Sequence, residues 1–194
     1  MTLEAPLLDD SAKQELLTLA RFTLETYLST RQRPDYATGR PELQSRAGAF
    51  VTLRRGEELR GCIGHVAPDT LLYHTIQNCA ISAAVEDTRF APVTYPELPQ
   101  LRIEISVLSP LERVQDLSGI TVGQYGLVVS RGHRRGLLLP QVATENGWDR
   151  DTFLAYTCRK AGLQPDAWRD PQTIIEAFRA QVFSEEKART QADT

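Results

Sequence analysis

The sequence contains little lysine and has no excess of positive charge. Only three of its 22 cationic residues are lysine, and the 194-residue chain carries a formal net charge of −3. An acidic chain without a basic tail argues against DNA, RNA or an anionic membrane surface as a partner. A local cluster of arginines remains compatible with this balance, because guanidinium groups are planar, always charged and suited to carboxylates and phosphates.

Cysteines and long apolar runs are also scarce. The three cysteines are odd in number and far apart, which is not the pattern of a disulfide framework. No apolar run reaches the ~18 residues of a membrane-spanning helix, and the N-terminal residues do not form a signal peptide. We therefore expect a soluble cytoplasmic protein. The length predicts one domain over residues 1–194, with an ordered core over about residues 11–185 and a polar C-terminal tail.

Hydrophobic periodicity predicts a mixture of helices and strands. We expect helices over residues 11–31, 70–85, 140–146 and 149–161, the first of them beginning at Ser11. We expect strands over residues 48–53, 59–66 and 101–108, and a hairpin over residues 125–139. The segment Thr173–Phe183 fits a helix and a strand equally well. Because strands and helices do not alternate regularly, the sequence indicates an α+β fold with a mainly antiparallel sheet.

The segment Leu59–Gly64, LRGCIG, carries the most informative signal for chemistry. If side chains alternate along a strand, its two apolar residues face the core, while Arg60 and Cys62 share the other face. A neighbouring guanidinium stabilises a thiolate and lowers the pKa of a thiol, so Cys62 is a candidate nucleophile with Arg60 as its activating cation. The alternative is that Cys62 is a small buried hydrophobe, as Cys158 is expected to be on its helix.

The residues around Cys62 are candidates for ligand binding. Gly61 and Gly64 lack side chains, so a ligand or another backbone can approach closely there, and His65 follows directly. Cysteine and histidine at positions 62, 65, 74 and 79 also have the residue types of a zinc site. However, helical spacing turns the last two about 140° apart, and strand alternation separates the first two. We therefore assign neither a metal nor a cofactor.

Two further segments offer charged side chains that could belong to a site. Glu104 lies on the polar face of the strand over residues 101–108 and could act as a general acid or base. Asp87 and Arg89 follow a buried helix and could position a polar ligand. The alternatives are the solvated outer face of an antiparallel sheet for Glu104, and an ion pair that fixes a loop for the other two.

Arginines also cluster at two predicted turns. One turn carries Arg131, His133, Arg134 and Arg135, and the other carries Arg54 and Arg55. Such clusters could contact phosphates, although solvated loops of an acidic protein have the same appearance.

Several sequence blocks occur in the order typical of one known family. They are GAFVTL, ELRGCIG, DTRFAPV, ELPQLRIEISVLSPLE, GLLLPQVA, FLAYTCRKAGL and AQVFSE, and they extend over Ser11–Glu185. With these blocks the chain resembles the AMMECR domain family, of which LRGCIG is the signature. The resemblance implies an α+β fold with a larger and a smaller lobe around one barrel-like sheet, and a strand within Thr173–Phe183.

The resemblance also directs attention to particular residues and partners. It adds functional weight to Arg60, Cys62, Asp87, Arg89 and Glu104, which fall in the matching blocks. Bacterial and archaeal members of the family are often encoded beside Memo-like proteins and radical-SAM proteins, and the Memo-like fold is similar to that of extradiol dioxygenases. This association implies a shared pathway that acts on an unknown small molecule.

Two functions from different classes follow from these observations. The first is an enzyme in which Cys62 is the nucleophile, Arg60 lowers its pKa, Glu104 is the acid or base, and Asp87 and Arg89 shape the cleft. The second is a non-catalytic module that binds a metabolite or a Memo-like partner protein along the glycine-rich strand. An RNA-binding regulator is a third possibility that the acidic composition disfavours.

Overall fold

The computed structural model of the protein describes residues 8–186, which form helices and antiparallel strands. In chain order the elements are α1 (Asp10–Thr30), β1 (Ala49–Arg55), β2 (Glu58–His65), α2 (Leu72–Val85), β3 (Leu101–Leu108), β4 (Glu112–Arg113), β5 (Gly126–Arg131), β6 (Arg134–Leu138), α3 (Pro140–Glu145), α4 (Arg150–Lys160), β7 (Ile174–Phe178) and β8 (Ala180–Ser184). The described residues divide into two compact units. A larger one contains residues 8–108 and 181–186, and a smaller one contains residues 109–180.

The larger unit contains a four-stranded sheet in the order β2–β1–β3–β8, with α1 and α2 packed on the sheet. Strand β1 is antiparallel to both β2 and β3. Its residue Val51 lies opposite Ile63 on one side and Ile105 on the other, and these side chains belong to the core beneath the helices. Because side chains alternate along a strand, Thr52 and the residues directly opposite it on β2 and β3 project from the other face of the sheet.

Helix α1 begins at Asp10, one residue earlier than the sequence predicts. Asp9 is the N-cap, and its carboxylate accepts a hydrogen bond of 2.7 Å from the amide of Ala12. The prediction that the helix begins at Ser11 is therefore wrong by one residue. An aspartate is as good an N-cap as serine, since its oxygen satisfies one of the unpaired amides of the first turn.

The smaller unit contains a second four-stranded sheet, in the order β4–β7–β5–β6. Strands β5 and β6 form the predicted hairpin, whose turn places Gly132 at a φ of 60°. Helix α4 contributes Phe153 and Cys158 to the core of this unit, where both are fully buried, so the prediction that Cys158 is a core residue is confirmed. The ambiguous segment Thr173–Phe183 forms strands, as the resemblance implied.

The strands thus belong to two sheets, and neither is closed into a barrel within the described residues. The α+β class and the antiparallel pairing are confirmed, whereas the single barrel-like sheet is not. No helix among residues 8–186 is long and apolar enough to cross a membrane. The predicted polar tail falls mostly on residues 187–194, and the prediction that the N-terminal residues are not a signal peptide concerns mostly residues 1–7. Both of these ranges lie outside the described residues.

Candidate functional site

Two side chains hold the outer edge of the signature strand. Strand β2 is an edge strand, so the backbone groups that point away from β1 have no neighbouring strand. At Cys62 the amide donates a hydrogen bond of 2.9 Å to Asp87 Oδ2, and the carbonyl accepts one of 3.3 Å from Arg89 Nη2. The loop after α2 therefore supplies through side chains the pairing that another strand would give.

Asp87 and Arg89 also bind each other. Arg89 Nε donates to Asp87 Oδ1 over 2.9 Å, and Arg89 Nη2 donates to Asp87 Oδ2 over 2.7 Å. The side chain of Asp87 is only 5% exposed, whereas that of Arg89 is 55% exposed. The guanidinium of Arg89, together with hydrogen bonds from the Cys62 and Arg89 amides, lowers the pKa of Asp87 to about 2. The loop-fixing ion pair considered from the sequence is what the structure contains.

Three polar side chains line up across the outer face of the sheet of the larger unit. Thr52 lies directly opposite Cys62 on β2 and directly opposite Glu104 on β3. Because directly opposed residues project to the same face, Cys62, Thr52 and Glu104 form one row, here called the Cys62–Thr52–Glu104 row. Two strand spacings, about 10 Å in all, separate its ends.

The thiol of Cys62 is held by a hydroxyl rather than by a base. Thr52 Oγ1 donates a hydrogen bond of 3.2 Å to Cys62 Sγ. This short side-chain contact fits a non-hydrogen-bonded pair of the antiparallel ladder, because the backbone groups of Cys62 point outward to Asp87 and Arg89. Among the described residues the carboxylate of Glu104 has neither a hydrogen bond nor an ion pair.

Burial keeps this thiol protonated at neutral pH. Desolvation raises the pKa of Cys62 above its ordinary value, and the charges of Asp87 and Glu104 raise it further. The Thr52 hydroxyl and the Arg89 guanidinium lower it, but the net direction is upward. The prediction of a thiol with a lowered pKa is therefore wrong, because burial outweighs the nearby cation.

Arg60 is paired with a carboxylate instead of the thiol. Its Nε and Nη2 atoms donate to the two carboxylate oxygens of Glu97 over 2.7 and 3.1 Å, and Arg55 binds the same carboxylate. The register between β1 and β2 shifts after Leu53, so that Arg60 has no directly opposed partner, as in a β-bulge. The cation that acts on Cys62 is consequently Arg89, not Arg60.

The same register shift corrects the predicted core face of the signature. Leu59 lies opposite Arg54 and is only half-buried, whereas Ile63 packs against the core cluster. The prediction that both residues face the core is therefore wrong for Leu59. Simple alternation fails there because the bulge inserts one residue into the strand.

The glycines of the signature are explained by close packing. A side chain at Gly61 would collide with the backbone carbonyl of Ala83 on α2, and one at Gly64 would collide with the ring of Phe50. Close approach of another backbone, one of the two predicted alternatives, is thus found at Gly61 and leaves no room for a ligand there. His65 is exposed at the end of β2, on the face opposite Cys62.

The alternative zinc site does not assemble. Cys79 is fully buried, and its thiol donates a hydrogen bond of 3.6 Å to the carbonyl of Ala49. The Nδ1 atom of His74 lies 3.4 Å from Gln77 Oε1. Within residues 8–186 there is no group of three or more histidine, cysteine or acidic side chains that could hold a metal ion.

The sequence placed Cys62 and Glu104 each on the polar face of its own strand, without showing that they meet, and it gave no role to Thr52 or Glu97. Thr52 is the polar residue of the otherwise apolar GAFVTL block, and that exception was a signal for a special position. Glu97 lies in the ELPQ block directly before β3, and only the tertiary structure shows that it binds Arg60. Neither the strand order nor the register could be read from the sequence.

Comparison with known proteins identifies the family. The AMMECR1 family model matches residues 17–183. A protein of Methanothermobacter thermautotrophicus is 44% identical over 189 residues, which cover 94% of this chain and 98% of the relative. A protein of Methanosarcina mazei is 40% identical over 191 residues, covering 93% and 95%. The chain therefore belongs to the AMMECR1 family, and the resemblance stated from the sequence is confirmed.

A solved structure agrees with this membership. The crystal structure of an uncharacterised protein from Pyrococcus horikoshii superimposes with a TM-score of 0.88 at 42% identity, and the match covers 92% of this chain and 94% of that one. Because that relative is itself described as uncharacterised, the family supplies a fold and no activity.

Proposed function

We propose that this chain is a non-catalytic binding module whose ligand contacts the Cys62–Thr52–Glu104 row. The observation that carries the proposal is the row itself, in which a protonated thiol, a hydroxyl and an unpaired carboxylate share one sheet face. Such a set donates and accepts hydrogen bonds, which serves recognition. A ligand with a positively charged or amine group suits the carboxylate of Glu104, because a half-buried carboxylate without a partner gains most from a cation.

The arrangement of the surrounding residues favours binding over nucleophilic catalysis. A nucleophilic cysteine needs a lowered pKa or an adjacent base. Here burial raises the pKa of Cys62, and its hydrogen-bond partner is the hydroxyl of Thr52. Of the groups predicted to assist catalysis, Arg60 binds Glu97 and Asp87 binds the Cys62 backbone.

The resemblance to the AMMECR domain family suggests where the ligand comes from. We infer a small molecule from a pathway shared with Memo-like and radical-SAM proteins, acting in the cytoplasm. A Memo-like protein that covers the same face is the competing occupant. These two occupants differ in size, so native mass spectrometry of the protein purified at native expression levels distinguishes them.

An NMR titration tests the proposal directly. A panel of primary amines and a matched panel of carboxylic acids are added to the 15N-labelled protein. We expect amines, and not acids, to shift the amide signals of Cys62, Thr52 and Glu104 at millimolar concentrations. Glu104→Gln should remove the response, whereas Glu25→Gln, which changes an exposed carboxylate on α1, should leave it intact.

Two outcomes would refute the binding module in this form. If neither panel shifts the row and no ligand or partner survives native mass spectrometry, the face has no binding role. If Cys62 is instead alkylated by iodoacetamide with an apparent pKa below that of the same residue in the unfolded chain, the enzyme hypothesis replaces it.

A further inference from the structure

The smaller unit contains a broad groove whose walls are rich in arginine. It has a volume of about 860 Å³, and Arg131, Arg134 and Arg169 line it together with Gln164 and Asp166. This volume lies within the range of ~300–1,000 Å³ in which proteins bind small molecules. The groove belongs wholly to residues 109–180 and contains none of the residues of the Cys62–Thr52–Glu104 row, so it is a separate site.

Two of its arginines are opposed in a way that costs stability. Arg131 at the end of β5 lies directly opposite Arg134 at the start of β6. Directly opposed residues project to the same face, and like charges in that position destabilise a sheet. An anion between the two guanidinium groups would convert this repulsion into attraction.

Each guanidinium is oriented by a neighbour but keeps donors for a ligand. Arg131 binds Asp170 over 3.0 Å, and Arg134 Nη1 donates to the carbonyl of Gly162 over 2.9 Å. Arg169 stacks on the ring of Trp168 at 4.6 Å and has no ion pair within the described residues. Because a guanidinium has five N–H donors, these contacts fix the side chains without satisfying them.

A second, smaller depression adjoins the groove and is also lined by arginines. It measures about 170 Å³, and Arg169 and Asp170 line both cavities. Its wall adds Arg113, which has no ion pair among residues 8–186, and Thr173. The hydroxyl of Thr173 is buried and has no hydrogen-bond partner in the described part of the chain.

The local charge contrasts with that of the whole protein. The two cavities together are lined by four arginines and two aspartates, in a chain whose net charge is −3. Arginine forks match phosphate oxygens in geometry and charge, which a carboxylate-lined cavity cannot do.

We propose that this groove binds a small phosphorylated metabolite. The phosphate lies between Arg131, Arg134 and Arg169, and Gln164 and Asp166 accept hydrogen bonds from hydroxyl groups on the remainder of the molecule. The ligand of the arginine-rich hairpin tip is accordingly a phosphate ester of a polyol or nucleoside. Nucleic acid shares the phosphate chemistry, but the net acidic chain favours the small molecule.

Isothermal titration calorimetry of the full chain tests this proposal with three probes. They are ribose 5-phosphate, inorganic phosphate and ribose. At low ionic strength we expect ribose 5-phosphate to bind best, inorganic phosphate to bind more weakly, and ribose to give no heat. Binding should weaken as salt is added, because the contacts are charge-assisted.

Matched variants separate a built site from general electrostatic attraction. Arg134→Gln and Arg169→Gln should each weaken binding of ribose 5-phosphate roughly tenfold or more. Arg150→Gln removes an exposed arginine of the same unit that is paired with Asp151 and does not line the groove, so it should leave binding unchanged. Arg134→Gln should change the melting temperature of the protein without ligand little, because it removes the repulsion with Arg131 together with the hydrogen bond to the Gly162 carbonyl.

Three results would overturn the proposal. The first is the absence of heat with both phosphate probes. The second is an equal loss of binding in Arg150→Gln, which would mean unspecific attraction. The third is a single-stranded oligonucleotide that binds far more tightly than ribose 5-phosphate, with a steep salt dependence that the groove variants abolish, since this would identify a nucleic-acid surface instead.

Discussion

At the scale of single residues, Asp87 is the carboxylate on which the candidate site depends. It accepts hydrogen bonds from the amides of Cys62 and Arg89 and from the Arg89 side chain. An exposed ion pair would contribute little, but this carboxylate is almost fully buried and is bonded to backbone as well as to a cation. The DTR block and the LRGCIG block of the sequence therefore belong to one structural unit.

Replacing Asp87 by asparagine should destabilise the protein. The substitution keeps the shape but removes the charge that strengthens these hydrogen bonds, so we expect a loss of about 2 kcal/mol in the free energy of unfolding. Urea denaturation measures it as a lower midpoint at an unchanged slope. Thr88→Ala, at the exposed neighbouring position, should change the free energy by less than about 0.5 kcal/mol. Equal effects of the two substitutions would contradict the role of Asp87.

The same carboxylate predicts a loss of stability in acid. Its pKa is about 2 in the folded protein and 3.8 in the unfolded reference. A lowered pKa contributes stability that is fully present above the unfolded value and is lost as the pH falls from about 4 towards 2. Unfolding free energies measured across this range should therefore fall more steeply for the wild type than for Asp87→Asn. Parallel curves would show that Asp87 carries no such linkage.

At the scale of elements, the close contact between strand β2 and helix α2 requires a glycine at position 61. The backbone carbonyl of Ala83 occupies the place of a side chain at Gly61. Both partners are backbone atoms, so neither can move aside by changing a rotamer. The strand can approach the helix closely only because this position has no Cβ atom.

Gly61→Ala should consequently be among the most destabilising single substitutions of the chain. We expect a loss of about 3 kcal/mol or a failure to accumulate as folded protein, because the added methyl group forces β2 away from α2. Gly119→Ala is the control, since nothing lies within 4 Å of the added atom there. It should change the free energy of unfolding by at most about 0.5 kcal/mol. A stable Gly61→Ala variant with unchanged spectra would remove the packing explanation.

The sequence predicted most elements but not the details of their pairing. The bounds of β3 agree to the residue, because its alternation is regular, and α4 ends near its glycine as expected. The two-residue strand β4 was missed, since a strand that short has no periodicity. The register shift at Arg60 could not be foreseen either. Because of this shift, the prediction that Arg60 lies beside the thiol of Cys62 failed.

At the scale of the whole molecule, the larger unit is built from two separated segments of the chain. Residues 109–180 form the smaller unit, and the chain then returns to add β8 beside β3. Glu185 fastens this returning strand. Its backbone amide donates to the Ile103 carbonyl, and its carboxylate accepts from the Ile103 amide and from Arg21 on α1.

Arg21 should therefore be needed for the attachment of the last strand. Its guanidinium also donates to the carbonyls of Leu98 and Leu101, and Arg21→Met would remove this donor from all of these acceptors. We expect a loss of about 2 kcal/mol in stability and faster amide hydrogen exchange in β8. Arg33→Met, which removes one exposed hydrogen bond to Asn78, should have little effect. Unchanged exchange in β8 would argue against this fastening.

The pH dependence of Cys62 alkylation shows whether Cys62 is a protonated member of a binding face, as we propose. Iodoacetamide modification of the native protein, read by peptide mass spectrometry, should therefore give Cys62 an apparent pKa above that of the same residue in the urea-unfolded chain. Arg89→Gln should raise it further, since the guanidinium lowers it. An apparent pKa below that of the unfolded chain would refute the binding module and identify Cys62 as an activated nucleophile.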